Sequence, residues 1–318
     1  MRMSFGTTGT IPCDAAIERS EPFDPVIVAA ATRWNHTPLR YSENRWALNL
    51  VTDSEFANDG LAPDPVAGDD FRAMASTIAG RVLIVIPTFN EAENIPLLIP
   101  RVLAQGAEVD VLVVDDGSPD DTGQIADDLA RTFHPRVSVL HRSSKAGRGG
   151  AVMAGFRQAL PDLRYDWFCE MDADLSHQPE ELPAFFAASA GADMVVGSRY
   201  IPGGRIEGWS SRRRVWSRTS NRIIRTVLGV PMTDFTNGYR LYSRRAVELL
   251  SGARLRETGY ITLSEWAYAI HRAGLPLLQV PTLFINRRFG KSNMSPSEAI
   301  GAIRALLRMR GSPFWRRR

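Results

Sequence analysis

Two carboxylates stand two residues apart in Met171-Asp172-Ala173-Asp174-Leu175-Ser176-His177-Gln178. Hard oxygen ligands at this spacing suit Mg²⁺ or Mn²⁺ bridging phosphate oxygens. An isolated Asp-x-Asp is common and usually no more than a charged loop. Here the apolar run 166–171 precedes it, so the pair should emerge at the end of a buried strand. Gln178 offers a further oxygen ligand. His177 has the chemistry of a ligand too, but a hydrogen-bonding histidine is the commoner role.

Three other segments have chemistry to offer. In Pro87-Thr88-Phe89-Asn90-Glu91, Phe89 can stack on a nucleobase and Glu91 can accept from a ribose or base. The plainer reading is that Asn90 caps the next helix and Glu93 completes a capping box, and the two are compatible. In Val114-Asp115-Asp116-Gly117-Ser118, an acidic turn can take a base N–H or a ribose hydroxyl. Pro119-Asp120 reads as turn and cap. Lys145-Ala146-Gly147-Arg148-Gly149-Gly150 ahead of a helix is a possible phosphate cradle without P-loop spacing.

These segments need elements to hold them. Continuous apolar runs at 81–86, 109–114, 137–140, 166–171 and 194–196 read as buried strands. Helical patterns at 93–105, 122–133, 149–160 and 179–189 alternate with them. The expectation is an α/β fold with a mostly parallel central sheet flanked by helices. Ligands of such sheets lie beyond the carboxyl ends of the strands, which is where the polar residues gather. Beyond Tyr200 the pattern predicts a helix at 215–228, a strand at 278–285 and a helix at 297–309.

Composition narrows the class. The chain has 318 residues and a net charge of +3, yet residues 1–78 carry six arginines against eleven acidic residues. The positive charge therefore belongs to the remainder, where an anionic substrate or lipid would bind. Residues 1–78 lack periodicity and read as a poorly ordered extension, either an upstream artefact of a start at Met74 or a regulatory tail. No apolar run reaches the roughly 18 residues of a membrane span, and the N-terminus has no secretory pattern. With two cysteines, neither a disulfide framework nor a zinc site is supported, and Cys169 reads as a small buried hydrophobe. The expected location is cytoplasmic, peripherally associated with the inner face of a membrane.

Arg205, Arg212, Arg213, Arg214, Arg218, Arg222 and Arg225 interleave with Trp209, Trp216, Ile223 and Ile224. That composition fits anionic lipid headgroups, and a solvated basic helix explains it equally well. The end of the chain, with Leu306, Leu307, Phe314 and Trp315 among Arg304, Arg308, Arg310 and Arg316 to Arg318, has an interfacial pattern.

Together the motifs resemble glycosyltransferase family 2, and within it the dolichol- or polyprenol-phosphate mannosyltransferase branch without C-terminal membrane spans. The resemblance covers residues 80–294 and rests on six segments. They are Pro87 to Asn94, Val113 to Asp120, Gly147-x-Gly149, Met171 to Pro179, Gly197-Ser198-Arg199-Tyr200 and Asp234 to Tyr242. It implies the GT-A (nucleotide-diphospho-sugar transferase) fold over 79–294, with 295–318 a basic amphipathic tail. It also implies transfer of a sugar, best matched by mannose from GDP-mannose, to a polyprenyl or dolichyl phosphate.

By the same resemblance Pro87, Phe89, Glu91, Val114 and Asp116 hold the nucleoside, and Asp172, Ala173 and Asp174 with Gln178 surround Mg²⁺ or Mn²⁺. Arg199, Arg287 and Lys291 face phosphate, and Ser217 and Arg218 approach the lipid phosphate. Asp174, Arg199 and Arg287 form the catalytic group. The chain departs from the family where Gly290-Lys291-Ser292-Asn293 replaces Gly-x-Ser-Lys, and where Leu263 stands two residues before Glu265 in place of Gln. Two other classes stay open: the same fold with another sugar nucleotide and a non-lipid acceptor, and a non-catalytic anion or nucleic-acid binder. Intact Asp172 and Asp174 speak against the latter, and no nucleic-acid module is recognisable.

Overall fold

A computed structural model describes residues 78–143, 147–253, 255, 261–286 and 296–311, the last segment with side chains from 304 onward. The expected alternation is present. Strand β1 (Arg81–Thr88) leads to helix α1 (Ile95–Leu103), β2 (Val109–Asp115) to α2 (Thr122–Thr132), and β3 (Val137–His141) to α3 (Gly147–Ala159). Strand β4 (Tyr165–Glu170) is followed by a 3₁₀ turn at Pro179–Glu181 and α4 (Leu182–Ala188), then β5 (Met194–Ser198). The rest is β6 (Arg205–Glu207), α5 (Ser211–Leu228), β7 (Arg240–Ser243), α6 (Arg244–Gly252), α7 (Ile261–Arg272), β8 (Leu277–Pro281), β9 (Leu283–Ile285) and α8 (Pro296–Gly311).

The seven-stranded sheet has the order β3-β2-β1-β4-β7-β5-β8. Every pair is parallel except β4·β7 and β7·β5, so β7 is a reversed strand wedged between two parallel ones. Its register sets Glu170 opposite Arg240 and Phe168 opposite Tyr242. Because β7 runs against β4, the residues entering β7 arrive at the end where β4 leaves. A second, two-stranded sheet pairs β6 with β9 in parallel.

β1, β2 and β5 are buried on both faces, which explains their unbroken apolar runs. The core under α3 packs Phe156 edge-on against Phe168 and Tyr242, at 5.8 and 5.6 Å between ring centroids. Helix α3 lies close to the sheet at Gly155, where a Cβ would stand 2.7 Å from Val85 Cγ1 and 3.1 Å from Val114 Cγ2. Cys169 is buried as expected, and burial pushes its thiol well above the usual range.

Several sequence expectations change. The first helix begins at Ile95 and is capped by Asn94 without a side-chain bond, so Asn90 and Glu93 form no capping box. Pro96 in the first turn has no N–H to bond and is well placed only at a helix start. Asn90 instead takes a left-handed φ of 60°, its N–H donating to Ser118 Oγ. The helix at 215–228 starts earlier, where Ser210 caps it by accepting from Arg213 N. β7, α6 and α7 were not legible in the sequence.

The single strand expected at 278–285 is two strands broken at Thr282. Pro281 cannot donate to a ladder, and the chain crosses there from one sheet to the other. Glu181 secures this crossing by accepting from the Thr282 hydroxyl and from Leu283 N–H.

Burial, partly offset by those two hydrogen bonds, pushes Glu181 up to about 7 from its ordinary 4.5. The unfolded chain ionises this group more readily than the folded one. Its contribution to stability is therefore full below about 4.5 and is lost as pH rises through about 7. Chemical denaturation at the two ends of this window should show roughly 2–3 kcal/mol less stability at the upper end for this group, and Glu181→Gln should remove that part of the slope.

Candidate active site

The cleft is built at the carboxyl ends of β1, β2, β4 and β5. Asp172 and Asp174 follow β4, and their loop is held from below by the segment entering β7. His177 Nδ1 accepts from Asp172 N–H at 3.1 Å, and its Nε2 meets Asn237 Oδ1 at 2.8 Å. These partners select the Nε2–H tautomer of a neutral ring. Burial lowers the His177 pKa in the same sense. The ring stacks on Tyr239 at 5.0 Å, and Tyr239 Oη donates to Gln178 O. His177 is thus a hydrogen-bonding latch of the loop. Leu175 takes a left-handed φ of 60°, a conformation that costs a non-glycine residue on the order of 1 kcal/mol and turns the chain within this loop.

Asp172 is not alone in its charge. Arg148 donates from Nε to Asp172 Oδ1 at 2.5 Å, from Nη1 to Glu170 Oε2 at 2.6 Å, and from Nη2 to Gly238 O at 2.9 Å. Glu170 is fully buried and also accepts from Tyr242 Oη at 2.6 Å. Partial burial works against the Arg148 charge, and the two carboxylates more than offset it, so its pKa is raised. A Cβ on Gly238 would collide with the guanidinium. Arg148 was not singled out in the sequence. The available signal was its position between Gly147 and Gly149, where the helix begins on a backbone that approaches its neighbours closely.

Arg199 is buried and grips Asp234 with a two-pronged ion pair, Nε to Oδ2 at 2.7 Å and Nη2 to Oδ1 at 2.8 Å. Its guanidinium lies 5.2 Å from the ring centres of both Trp209 and Phe284. Burial opposes both charges, but each holds the other ionised, so Arg199 is raised and Asp234 lowered. The Asp172 charge also acts favourably on Arg199. Two buried groups nearby, Ser176 Oγ and Trp209 Nε1, have no hydrogen-bond partner among the described residues.

The residues expected to hold a nucleoside are gathered at the other half of the cleft. Pro87, the last residue but one of β1, stands opposite Val114, and Asp116 N–H donates to Thr88 O. Asp116 Oδ1 accepts from Arg142 Nη1 at 2.6 Å, and Glu91 Oε2 accepts from Asn94 at 2.7 Å. Phe89 is partly buried. Val114 sits in the core beneath α3, so its side chain supports the strand. Ala173 is buried. Gln178 turns its Oε1 to Arg101 Nη2 at 3.1 Å and its amide to Leu175 O. Ser217 accepts from Tyr200 Oη at 2.6 Å, and Arg218 lies 5.8 Å from the Tyr200 ring centre. Arg287 and Lys291 lie outside the described residues.

Residues 83–250 match the family model described as Glycosyl transferase family 2. The chain is 44% identical over 232 residues to the polyprenol monophosphomannose synthase of Mycolicibacterium smegmatis, covering 73% of this chain and 86% of that one. It is 43% identical over 215 residues to the undecaprenyl-phosphate mannosyltransferase of Micrococcus luteus, covering 68% and 88%. Among solved structures it resembles the glucosyl-3-phosphoglycerate synthase of Mycobacterium tuberculosis at 20% identity and a TM-score of 0.53, over 79% and 86% of the two chains. At that identity the likeness concerns the fold, a GT-A fold.

The Arg199–Asp234 pair yields a direct test. Asp234→Ala strands a buried guanidinium and should cost about 3–5 kcal/mol in chemical denaturation, whereas replacing both partners by apolar residues should cost less. A single-variant loss below about 1 kcal/mol, the scale of a surface pair, would show that the pair is not a buried anchor.

Proposed function

The chain belongs to glycosyl transferase family 2 and is a glycosyltransferase, and we propose that it transfers mannose from GDP-mannose to a polyprenyl phosphate with inversion at the anomeric carbon. The observation that carries this reading is the match, over most of their lengths, to two relatives named for mannosyl transfer to a polyprenyl phosphate. In this reading residues 79–294 are the catalytic unit, 1–78 an extension and 295–318 a basic amphipathic tail. The protein works peripherally at the inner, cytoplasmic face of an anionic membrane. No helix among the described residues is long and apolar enough to cross one.

Asp172 and Asp174 suit a hard divalent cation, Mg²⁺ or Mn²⁺. They supply two carboxylates beside the orphaned Ser176 hydroxyl, and such ions take their remaining ligands from phosphate and water. The bound cation would neutralise charge on the departing nucleoside diphosphate. Gln178 would join the ligand set once Arg101 released its Oε1.

Pro87, Phe89, Glu91 and Asp116 frame the nucleoside, Val114 supporting them from the strand beneath and Arg142 fixing the Asp116 carboxylate. By the family resemblance Arg199, Arg287 and Lys291 would meet the diphosphate, with Asp174, Arg199 and Arg287 as the catalytic group. A guanidinium already fixed by Asp234 needs little reorganisation when charge develops, so Arg199 would favour the departing diphosphate. Ser217 and Arg218 place the acceptor phosphate, with Tyr200 orienting Ser217. That phosphate is already an anion near neutral pH, so positioning replaces general-base work. A single attack on the face opposite the leaving diphosphate inverts the anomeric centre.

Removing a carboxylate by Asp174→Ala should lower turnover about a hundredfold or more, since even outer-sphere partners of such sites matter at 10–100-fold. Wild-type-like turnover in excess chelator would contradict the metal role. A sugar-nucleotide panel with Mn²⁺ should show thermal protection by GDP-mannose in proportion to its occupancy. Turnover of another sugar nucleotide without turnover of GDP-mannose would remove the mannosyl assignment.

A further inference from the structure

Helix α5 has three distinct faces. Asn221, Ile224 and Leu228 are buried against the body of the protein. On another side Val215, Trp216 and Ile223 are 64%, 60% and 49% exposed. At about 100° per residue, positions 215, 216 and 223 share one arc of the helix. Between this arc and the buried face lies a cavity of about 740 Å³, lined by Arg218, Arg222 and Arg225 together with Thr226, Val230 and Pro231.

Among the described residues no carboxylate answers the charge in this cavity. The chain has no acidic residue between Glu207 and Asp234, but six arginines. Among the described residues, none of Arg218, Arg222 and Arg225 has a carboxylate within ion-pairing distance. Like charges facing one concavity repel one another until an anion enters, and a guanidinium fork matches phosphate oxygens. The three arginines span about 10 Å along the helix, too far for one phosphate. Arg218 belongs to the end beside Tyr200 and Ser217, so Arg222 and Arg225 form a separate, more distant pair.

The adjoining apolar arc selects among sources of phosphate. A free anion in solution gains nothing from Trp216 and Ile223. A bilayer surface engages both features at once, with apolar side chains at the acyl boundary and arginines among the headgroups. We propose that α5 is the face docked on the bilayer. Its Val215, Trp216 and Ile223 enter the interface, while Arg222 and Arg225 hold the phosphate of an anionic phospholipid in the cavity. This rests on the lipid-acceptor reading in one respect, the placing of the bilayer beside Ser217. It adds a second lipid, distinct from the substrate.

The test is flotation of the full chain with phosphatidylcholine vesicles and with the same vesicles carrying phosphatidylglycerol. The wild type should float with the second and much less with the first. Arg222→Gln with Arg225→Gln should weaken that binding about fivefold per arginine, so about twenty-five-fold together, and Val215→Ser with Trp216→Ser should weaken it independently of lipid charge. Melting temperature and turnover of a water-soluble short-chain acceptor should not change in either variant, and Arg222→Lys with Arg225→Lys should largely restore flotation. Unchanged flotation of the arginine variant overturns the proposal. Loss of thermal protection by inorganic phosphate without loss of flotation does so too, and would mark a soluble-anion site. Phosphatidylglycerol-dependent flotation without transfer to polyprenyl phosphate would sink the lipid-acceptor reading and spare this one, and transfer without such flotation would do the reverse.

Discussion

A strand that runs the wrong way organises this molecule. β7 lies between β4 and β5 and is antiparallel to both. In a wholly parallel sheet the segment before a strand lies at the opposite end from the active site. Reversal brings residues 234–239 to the carboxyl ends of β4 and β5, underneath the Asp172–Asp174 loop. Asn237, Tyr239 and Gly238 O meet His177, Gln178 O and Arg148 there, while Asp234 meets Arg199. Without the reversal, the aspartate loop would lose the partners of His177 and of Gln178 O and would lean on Arg148, Arg101 and its own short turns, which include a leucine in a left-handed conformation.

The second constraint is charge in a place with little water. Glu170, Asp234, Arg199 and Arg240 are all nearly or fully buried. An isolated buried charge is prohibitive, so each must be answered by a partner or by hydrogen bonds. Arg240 is answered by three carbonyls, those of Asn237, Leu263 and Phe235. That bonding ties the entry of β7 to α7. Glu170 is answered by Arg148 and Tyr242, and Arg148 extends the chain of charges outward to Asp172. The result is an electrostatic gradient from sealed core to open cleft. At its outer end a carboxylate, with its side chain 30% exposed, remains accessible. Such a network favours a single arrangement of the loop, because any other leaves a charge unanswered.

Helix α5 carries the opposite logic. Its arginines are largely left in solvent or facing a cavity, and its apolar side chains are not all inward. That pattern is poor for a helix in water and sensible for one at an interface. α8 crosses the same region, with Arg310 bonded to the carbonyl of Val227 at the end of α5. α5 is tied back to the segment after β5 by the hydrogen bond from Tyr200 Oη to Ser217 Oγ.

The sequence by itself determined the α/β class, five of the seven strands of the main sheet and the four helices between them. Buried parallel strands must be continuously apolar, and residues 81–86 or 109–114 admit no other reading. It also placed Asp172 and Asp174 at the end of β4, since polar residues directly after a buried strand can only emerge at its carboxyl end. Tertiary structure alone decided the rest. β7 is four residues long, Arg-Leu-Tyr-Ser, and two of them are polar, so nothing local marks a strand. The split at Thr282 depends on Glu181, a hundred residues away in the chain. That Arg148 answers Asp172, that Arg199 answers Asp234, and that Gln178 turns to Arg101 are pairings across 24, 35 and 77 residues. Periodicity reports which way a side chain faces within its own element. Which charge it must neutralise is settled only when the elements close around it.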